Sequence, residues 1–222
     1  MKVTMKVRLT FFEELLGTAS ADPEIHTEYI ASKASDAPSR QEEIDAIGVA
    51  EAIEKAMTIF PKLEDGTPFL YDYQAKGFFK DACKSMQNVK ESFSARVPSY
   101  RSKLDICMFI LERKIPIHFN GKIHTCQRPL RAQTAQGERI ALANSEAIPA
   151  GAWIEFTLMS ITDENKSKTK GNVKYLDLFR ELLDYGELRG IGQWRNSGKG
   201  RFYWEELDEN GNVIGGNKPK DC

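Results

Sequence analysis

The chain has 222 residues, 41% of them hydrophobic and 10% aromatic, which suits one sizeable domain with its own core. Its 31 Lys/Arg and 32 Asp/Glu leave a formal net charge of −1, which excludes a uniformly basic surface. No apolar run approaches the roughly 18 residues of a membrane span. The charge is unevenly placed, however. Phe11 to Asp65 carries thirteen acidic residues against four basic, whereas Tyr73 to Lys103 carries seven basic against two acidic, and Arg113 to Arg139 six against one. Binding to a polyanion would therefore use one face of the molecule.

In chain order, Val3, Met5, Val7, Leu9 and Phe11 alternate with Thr4, Lys6, Arg8 and Thr10, the pattern of a half-buried strand. The same alternation leaves no signal-peptide core at the N-terminus, so a soluble, cytoplasmic protein is expected. Gly17 and Asp22-Pro23 break the strand, and an acidic insertion follows from about 23 to 64, with a modest helix from Gln41 to Met57. Asp65-Gly66-Thr67-Pro68 is a turn signal.

Tyr73 to Met86 reads as a helix with Phe79, Ala82, Cys83 and Met86 on one face and a separate stripe of Lys76, Lys80 and Lys84. Such a stripe is either a solvated face or an anion-binding one. Gly77 costs about 1 kcal/mol inside a helix relative to Ala, so close packing or ligand approach is expected to account for it. Lys114–Phe119 and Ile123–Pro129 look like strands joined through Asn120-Gly121, a hairpin signal, with a third strand at Arg139–Asn144.

Ala152 to Ser160 alternates with Ile154, Phe156 and Leu158 on one side, Val173 to Tyr185 reads as a helix, and Arg201 to Leu207 as an aromatic strand. A flexible tail is expected from about 210 to 222. Cys83, Cys107, Cys126 and Cys222 show no CxxC pairing and no histidine at zinc spacing, so buried thiols are expected, with no metal and no cofactor.

The segment with most chemistry is Gly190-Ile-Gly192-Gln-Trp194-Arg195-Asn-Ser-Gly198-Lys199-Gly200-Arg201. Its glycines allow tight folding and close approach to a ligand. Arg195, Lys199 and Arg201 offer charge, and Trp194 a stacking surface, a combination suited to a sugar-phosphate strand. It is neither a dinucleotide fingerprint, which opens a helix after a strand, nor a P-loop, since Gly198-Lys199 is followed by glycine. The order strand, insertion, helix, strands, strand, helix, glycine loop, strand predicts an α+β fold, a ferredoxin-like (RRM-like) βαββαβ core over residues 1–222 as one domain, with the insertion and a β-hairpin as elaborations. One face of such a sheet is open, and RNA-binding modules use it.

Several segments resemble the RAMP superfamily of CRISPR systems, and most of all the crRNA-binding backbone subunits of type III effector complexes. Val7 to Gly17 resembles the family's first strand and glycine turn. Gly66 to Ala82, with Lys76-Gly77, resembles its G-x-P-x-I-P-G-S-S-L-K-G-x-L-R-x-A segment, although Tyr71-Asp72-Tyr73-Gln74 replaces Pro-Gly-Ser-Ser. Ile148 to Phe156 resembles a family strand, and Gly190 to Arg201 the C-terminal glycine-rich loop. The acidic insertion is longer than the family's.

The resemblance implies a non-catalytic protein bound to single-stranded, crRNA-like RNA. Lys76, Lys80, Arg195, Lys199 and Arg201 would contact phosphates, Gly190, Gly192, Gly198 and Gly200 would shape the loop, and Trp194 or Tyr203 would stack a base. Arg128 and Arg131 would be secondary contacts. Copies of itself or CRISPR effector subunits would be protein partners, with no membrane. Two other readings stay open. One is a decoy, including a phage-borne one, that mimics a backbone subunit and docks on a CRISPR complex. The other is a RAMP-type endoribonuclease, either metal-dependent through Asp22 or metal-free through His26 with Tyr29 and Lys33, an imidazole being suited to acid–base work on a ribose hydroxyl.

Overall fold

A computed structural model describes residues 2–20, 57–134, 137–161 and 174–219. The fold is α+β. Its main sheet is built on the alternation read at the N-terminus. β1 (Lys2–Phe11) buries Met5, Val7, Leu9 and Phe11 and turns Lys6, Arg8 and Thr10 away from the core. It pairs antiparallel with β10 (Trp153–Ile161), in a register that sets Met5 against Leu158, Val7 against Phe156 and Leu9 against Ile154. Buried residues thus face buried residues across the ladder, and a one-residue slip of either strand would turn its buried set to the other face.

On its other side β1 pairs antiparallel with β11 (Phe202–Leu207). β6 (Met108–Ile110) joins β10, and β12 (Val213–Gly216) joins β11, giving the order β12-β11-β1-β10-β6. Along the chain, β1 leads through α1 (Asp72–Met86) and α2 (Tyr100–Cys107) to β6 and β10, and then through α3 (Tyr175–Asp184) and α4 (Gly186–Arg189) to β11. α1 and α3 cover one face of the sheet. Phe79 of α1 meets Phe179 of α3 with ring centroids 6.2 Å apart, and Phe78 meets Phe202 of β11 at 5.2 Å. Emptying a site such as Phe179, fully buried, would cost about 3–5 kcal/mol.

A second sheet is made of β2 (Leu15–Leu16), β3 (Ala19–Ser20), β4 (Thr58–Ile59) and β9 (Gly137–Ile148), in the order β2-β9-β4-β3, with β8 (His124–Thr134) also paired to β9. A two-stranded ribbon joins β5 (Phe69–Tyr71) to β7 (Lys114–Pro116).

Two expectations are corrected, and a third is narrowed. The strand after Arg113 does not form a hairpin with the next one through Asn120-Gly121. Gly121 does take the turn-like φ of 103°, but β7 pairs back to β5, and β8 goes to β9. The turn only carries the chain from the ribbon to the second sheet. The tail is ordered as a strand through Gly216, where β12 pairs with β11 and Asn217 caps Trp204 through a 2.9 Å bond from the Trp204 amide to its Oδ1. Of the two reasons expected for Gly77, close packing does not hold, because a Cβ there would meet no atom of the described residues within 4 Å, and ligand approach stays open.

The helix expected from Gln41 to Met57 lies outside the described residues, apart from Met57. Cys83, Cys107 and Cys126 are free thiols, only Cys83 fully buried, and Cys222 is outside the described residues. Burial pushes the Cys83 thiol up. No helix among the described residues is long and apolar enough to cross a membrane.

Candidate nucleic-acid interface

The glycine loop closes on itself before it meets anything else. Ile191 N–H donates to Gly200 C=O at 2.9 Å, and Gly200 N–H donates to the Glu14 carbonyl at 2.8 Å. Gly190 and Gly200 lie back to back at φ 74° and 70°. A Cβ on Gly200 would sit 1.9 Å from the Ile191 carbonyl oxygen, and one on Gly190 2.6 Å from Gly200. Only glycine fits at either position, in both backbone angle and space.

Between them Trp194 is left-handed, at φ 54° and ψ 34°, an outlier for so bulky a residue. Arg128 of β8 holds it. The guanidinium carbon lies 5.4 Å from the indole ring centre, and Nη2 donates to Gln193 Oε1 at 2.6 Å. Arg128 is only 8% exposed, and its buried Nη1 has no hydrogen-bond partner among the described residues. Arg128 thus anchors Trp194. Arg131 sits on β8 opposite Ile140 of β9.

The loop cations are gripped by acids of this chain. Lys199 Nζ donates to Glu14 Oε2 at 2.6 Å, and His124 Nε2 lies 3.0 Å from Glu14 Oε1. The Lys199 hydrogen bond holds the Glu14 carboxyl below its usual range despite partial burial, and the same bond raises Lys199. Arg201 donates through Nη2 to Glu13 Oε1 at 3.0 Å and lies 5.1 Å from the Phe12 ring centre. Arg195 Nη1 reaches Asp81 Oδ2 of α1 at 2.8 Å, where Arg189 Nε also arrives at 3.1 Å. Lys199 and Arg201 thus pin the loop to the turn after β1, whereas Arg195 pins it to α1.

Beside that last contact lies an open cleft of about 370 Å³ between α1, α2 and the loop. Lys80, Lys84, Arg101 and Arg195 line it with Tyr100, and the bare backbone of Gly77 forms part of its wall. α1 is set in place by its own first turn. Tyr71 N–H donates to Gln74 Oε1 at 2.9 Å, and Gln74 Nε2 in turn donates to Thr18 Oγ1. Two acids also face the cleft, Asp81 and Asp105. Asp105 Oδ1 takes Lys80 Nζ at 2.5 Å and Lys76 Nζ at 3.9 Å.

The face of the main sheet opposite α1 and α3 is furnished by the chain's own side chains. Trp153 has His118 stacked on it at 4.1 Å and the Arg8 guanidinium 5.1 Å from its ring centre. Arg8 donates to Glu155 at 2.6 and 2.8 Å, and Lys6 lies 3.4 Å from the same carboxylate. Burial of Glu155 is outweighed by these cations, and its carboxyl is held below the usual range. Tyr203 lies tilted against Phe12, with ring centroids 4.5 Å apart. Trp204 is buried, donating through Nε1 to Asp184 at 2.8 Å.

Of the residues singled out in the sequence, Lys80 and Arg195 come to one cleft, Lys76 shares an acid with Lys80, and Lys199 and Arg201 turn to another side. Lys84, Arg101 and Tyr100 complete the lining; Asp105 pairs with Lys80 and Asp81 with Arg195 inside it, while Glu14 and Glu13 pair with Lys199 and Arg201 outside it. The acids left no local signal, since Asp81 and Arg195 are 114 positions apart. Asp22, His26, Tyr29 and Lys33 lie outside the described residues. Among the described residues no three His, Cys, Asp or Glu side chains group as a metal site.

No family model matches the chain, and no curated protein does. Among solved structures the chain is similar to one titled "Cryo-EM structure of the Type III-B Cmr-beta bound to cognate target RNA", with a TM-score of 0.48 and 8% identity over 93% of this chain. The match covers 59% of that chain, so the present chain spans less than two thirds of its length.

Proposed function

We propose that this chain binds single-stranded RNA, without cutting it, in the cleft between α1 and the glycine loop. The observation that carries the reading is the convergence of Lys80 and Lys84 with Arg195 and Arg101 on one open concavity. Several cations on one concavity suit the phosphates of a strand, Tyr100 offers a ring for a base, and the missing side chain at Gly77 lets a backbone come close. The sheet face is less suited to stacking, because Trp153 and Tyr203 already carry partners.

The order β11-β1-β10-β6, with α1 and α3 in the two crossovers, supports a ferredoxin-like core. With the Lys76-Gly77 and Gly190–Arg201 segments, it supports a divergent, CRISPR-associated RAMP-like protein acting as one domain. The test is fluorescence anisotropy of a labelled oligouridylate against duplex DNA of equal length. Tighter binding of the single strand supports the reading, and equal or tighter binding of the duplex overturns it.

One observation favours the decoy reading for part of the loop. Lys199 and Arg201 are matched with Glu14 and Glu13, as Arg195 is with Asp81, so the three loop cations are each neutralised within the chain. Protein that purifies free of RNA, fails to bind it, and is captured by a type III effector complex would decide for the decoy.

A further inference from the structure

The acid facing the α1 lysines comes from α2, and α2 is lightly held. Of its eight residues only Leu104 is buried, and Ser99 before it is left-handed at φ 53°. Asp105 itself is half exposed, with 49% of its side chain accessible. Its carboxylate nevertheless sits at the focus of two lysines, Lys80 Nζ at 2.5 Å and Lys76 Nζ at 3.9 Å, and Lys76 also donates to the Asp105 carbonyl at 3.1 Å. The Lys76 ammonium is further placed 5.5 Å from the Phe109 ring centre. Both lysines are one helical turn apart on α1 and flank the bare wall at Gly77.

We propose that Lys76 and Lys80 form an oxyanion subsite whose place the Asp105 carboxylate holds in the free protein, with α2 as the latch that a phosphodiester displaces. This rests on the cleft reading above and adds its regulation. A carboxylate and a phosphate present the same feature to an ammonium, a charged oxygen at hydrogen-bond distance. Exposed ion pairs are weak, so a polyanion with several phosphates can displace one carboxylate at small cost. The latch lowers affinity for stray single anions while leaving a strand that engages Lys84, Arg101 and Arg195 able to open it. Asp81 does not act this way. It is tied to two arginines of the loop end and holds the wall of the cleft in place.

The experiment uses Asp105→Asn, which keeps the shape of the side chain and removes its charge. Binding of a fluorescein-labelled oligouridylate at low salt should tighten about three- to fivefold, the size of one or two exposed ion pairs. Adding Lys80→Gln to that variant should remove the gain. Inorganic pyrophosphate supplies a probe that does not depend on RNA, and it should raise the melting temperature of Asp105→Asn more than that of the wild type. If both proteins bind the oligouridylate equally, or the variant binds it more weakly, the latch is overturned while the cleft reading survives. If pyrophosphate favours the variant but neither protein binds RNA, the subsite stands and the RNA reading falls. If neither probe distinguishes the two proteins, there is no subsite.

Discussion

Arg195 and Asp81 are joined by a 2.8 Å hydrogen bond that ties the glycine loop to the middle of α1 across 114 positions of sequence. Arg189 shares the same carboxylate oxygen at 3.1 Å. One acid therefore fixes both ends of the segment that forms a wall of the cleft. Asp81→Asn should lower the melting temperature by only about 2–4 °C, since partly exposed pairs contribute about 1 kcal/mol or less in a chain of this size. Amide exchange at Gly198, whose N–H donates to the Arg195 carbonyl, should speed up well beyond exchange in β1. Equal protection in variant and wild type would show that the loop is held without Asp81.

Gly200→Ala should be far more damaging than its size suggests. The left-handed φ alone costs about 1–2 kcal/mol, and the new methyl group would fall within the Ile191 carbonyl. A drop in melting temperature of more than about 4 °C is expected, with loss of the Ile191–Gly200 contact in amide exchange. An unchanged melting curve would contradict the loop geometry described here.

The Glu14–Lys199 pair predicts a two-sided pH dependence. Glu14 has its folded-state pKa lowered from 4.5, so its stabilisation is present above that value and fades as the pH falls through the lower folded one. Lys199 is raised from 10.5, so its share is complete below that value and is lost as the pH rises through the higher folded one. Melting temperatures of Lys199→Met and wild type should differ most between these limits and converge at both extremes. A constant difference from pH 3 to beyond 11 would mean that the pair adds nothing through charge.

Catalysis has a direct check. The protein incubated with RNA and Mg²⁺ or Mn²⁺, and separately with EDTA, should leave the RNA intact. Metal-dependent cuts abolished by Asp22→Ala, or metal-free cuts abolished by His26→Ala, would make it an endoribonuclease.

What was legible in the sequence was what local periodicity encodes. The alternation in β1 and β10, the apolar faces of α1 and α3, and the glycines that let residues 190–200 close on themselves all carry their reason within a few residues. Pairings set at long range were not legible. Lys114–Pro116 could have met either neighbour, and the burial of Leu70 and Ile115 behind the β5–β7 ribbon decided for β5. Val213–Gly216 is short and glycine-rich, so only the free edge of β11 makes it a strand. The acidic partners were hidden for the same reason. Nothing near Lys199 or Arg201 announces that Glu14 and Glu13 will meet them. Nor does anything near Arg128 announce that it will be buried against Trp194.

Strand binding in the α1–loop cleft can be tested at its lining cations. Lys84→Gln combined with Arg195→Gln removes two lining cations that lie on different elements, and the melting temperature should be followed alongside. Titration with a labelled oligouridylate over a series of salt concentrations should show weaker binding, and a slope of log K against log salt flattened by about 1.4, from roughly 0.7 per phosphate contact on a single strand. Unchanged affinity and slope in a folded double variant would contradict the cleft as the RNA site.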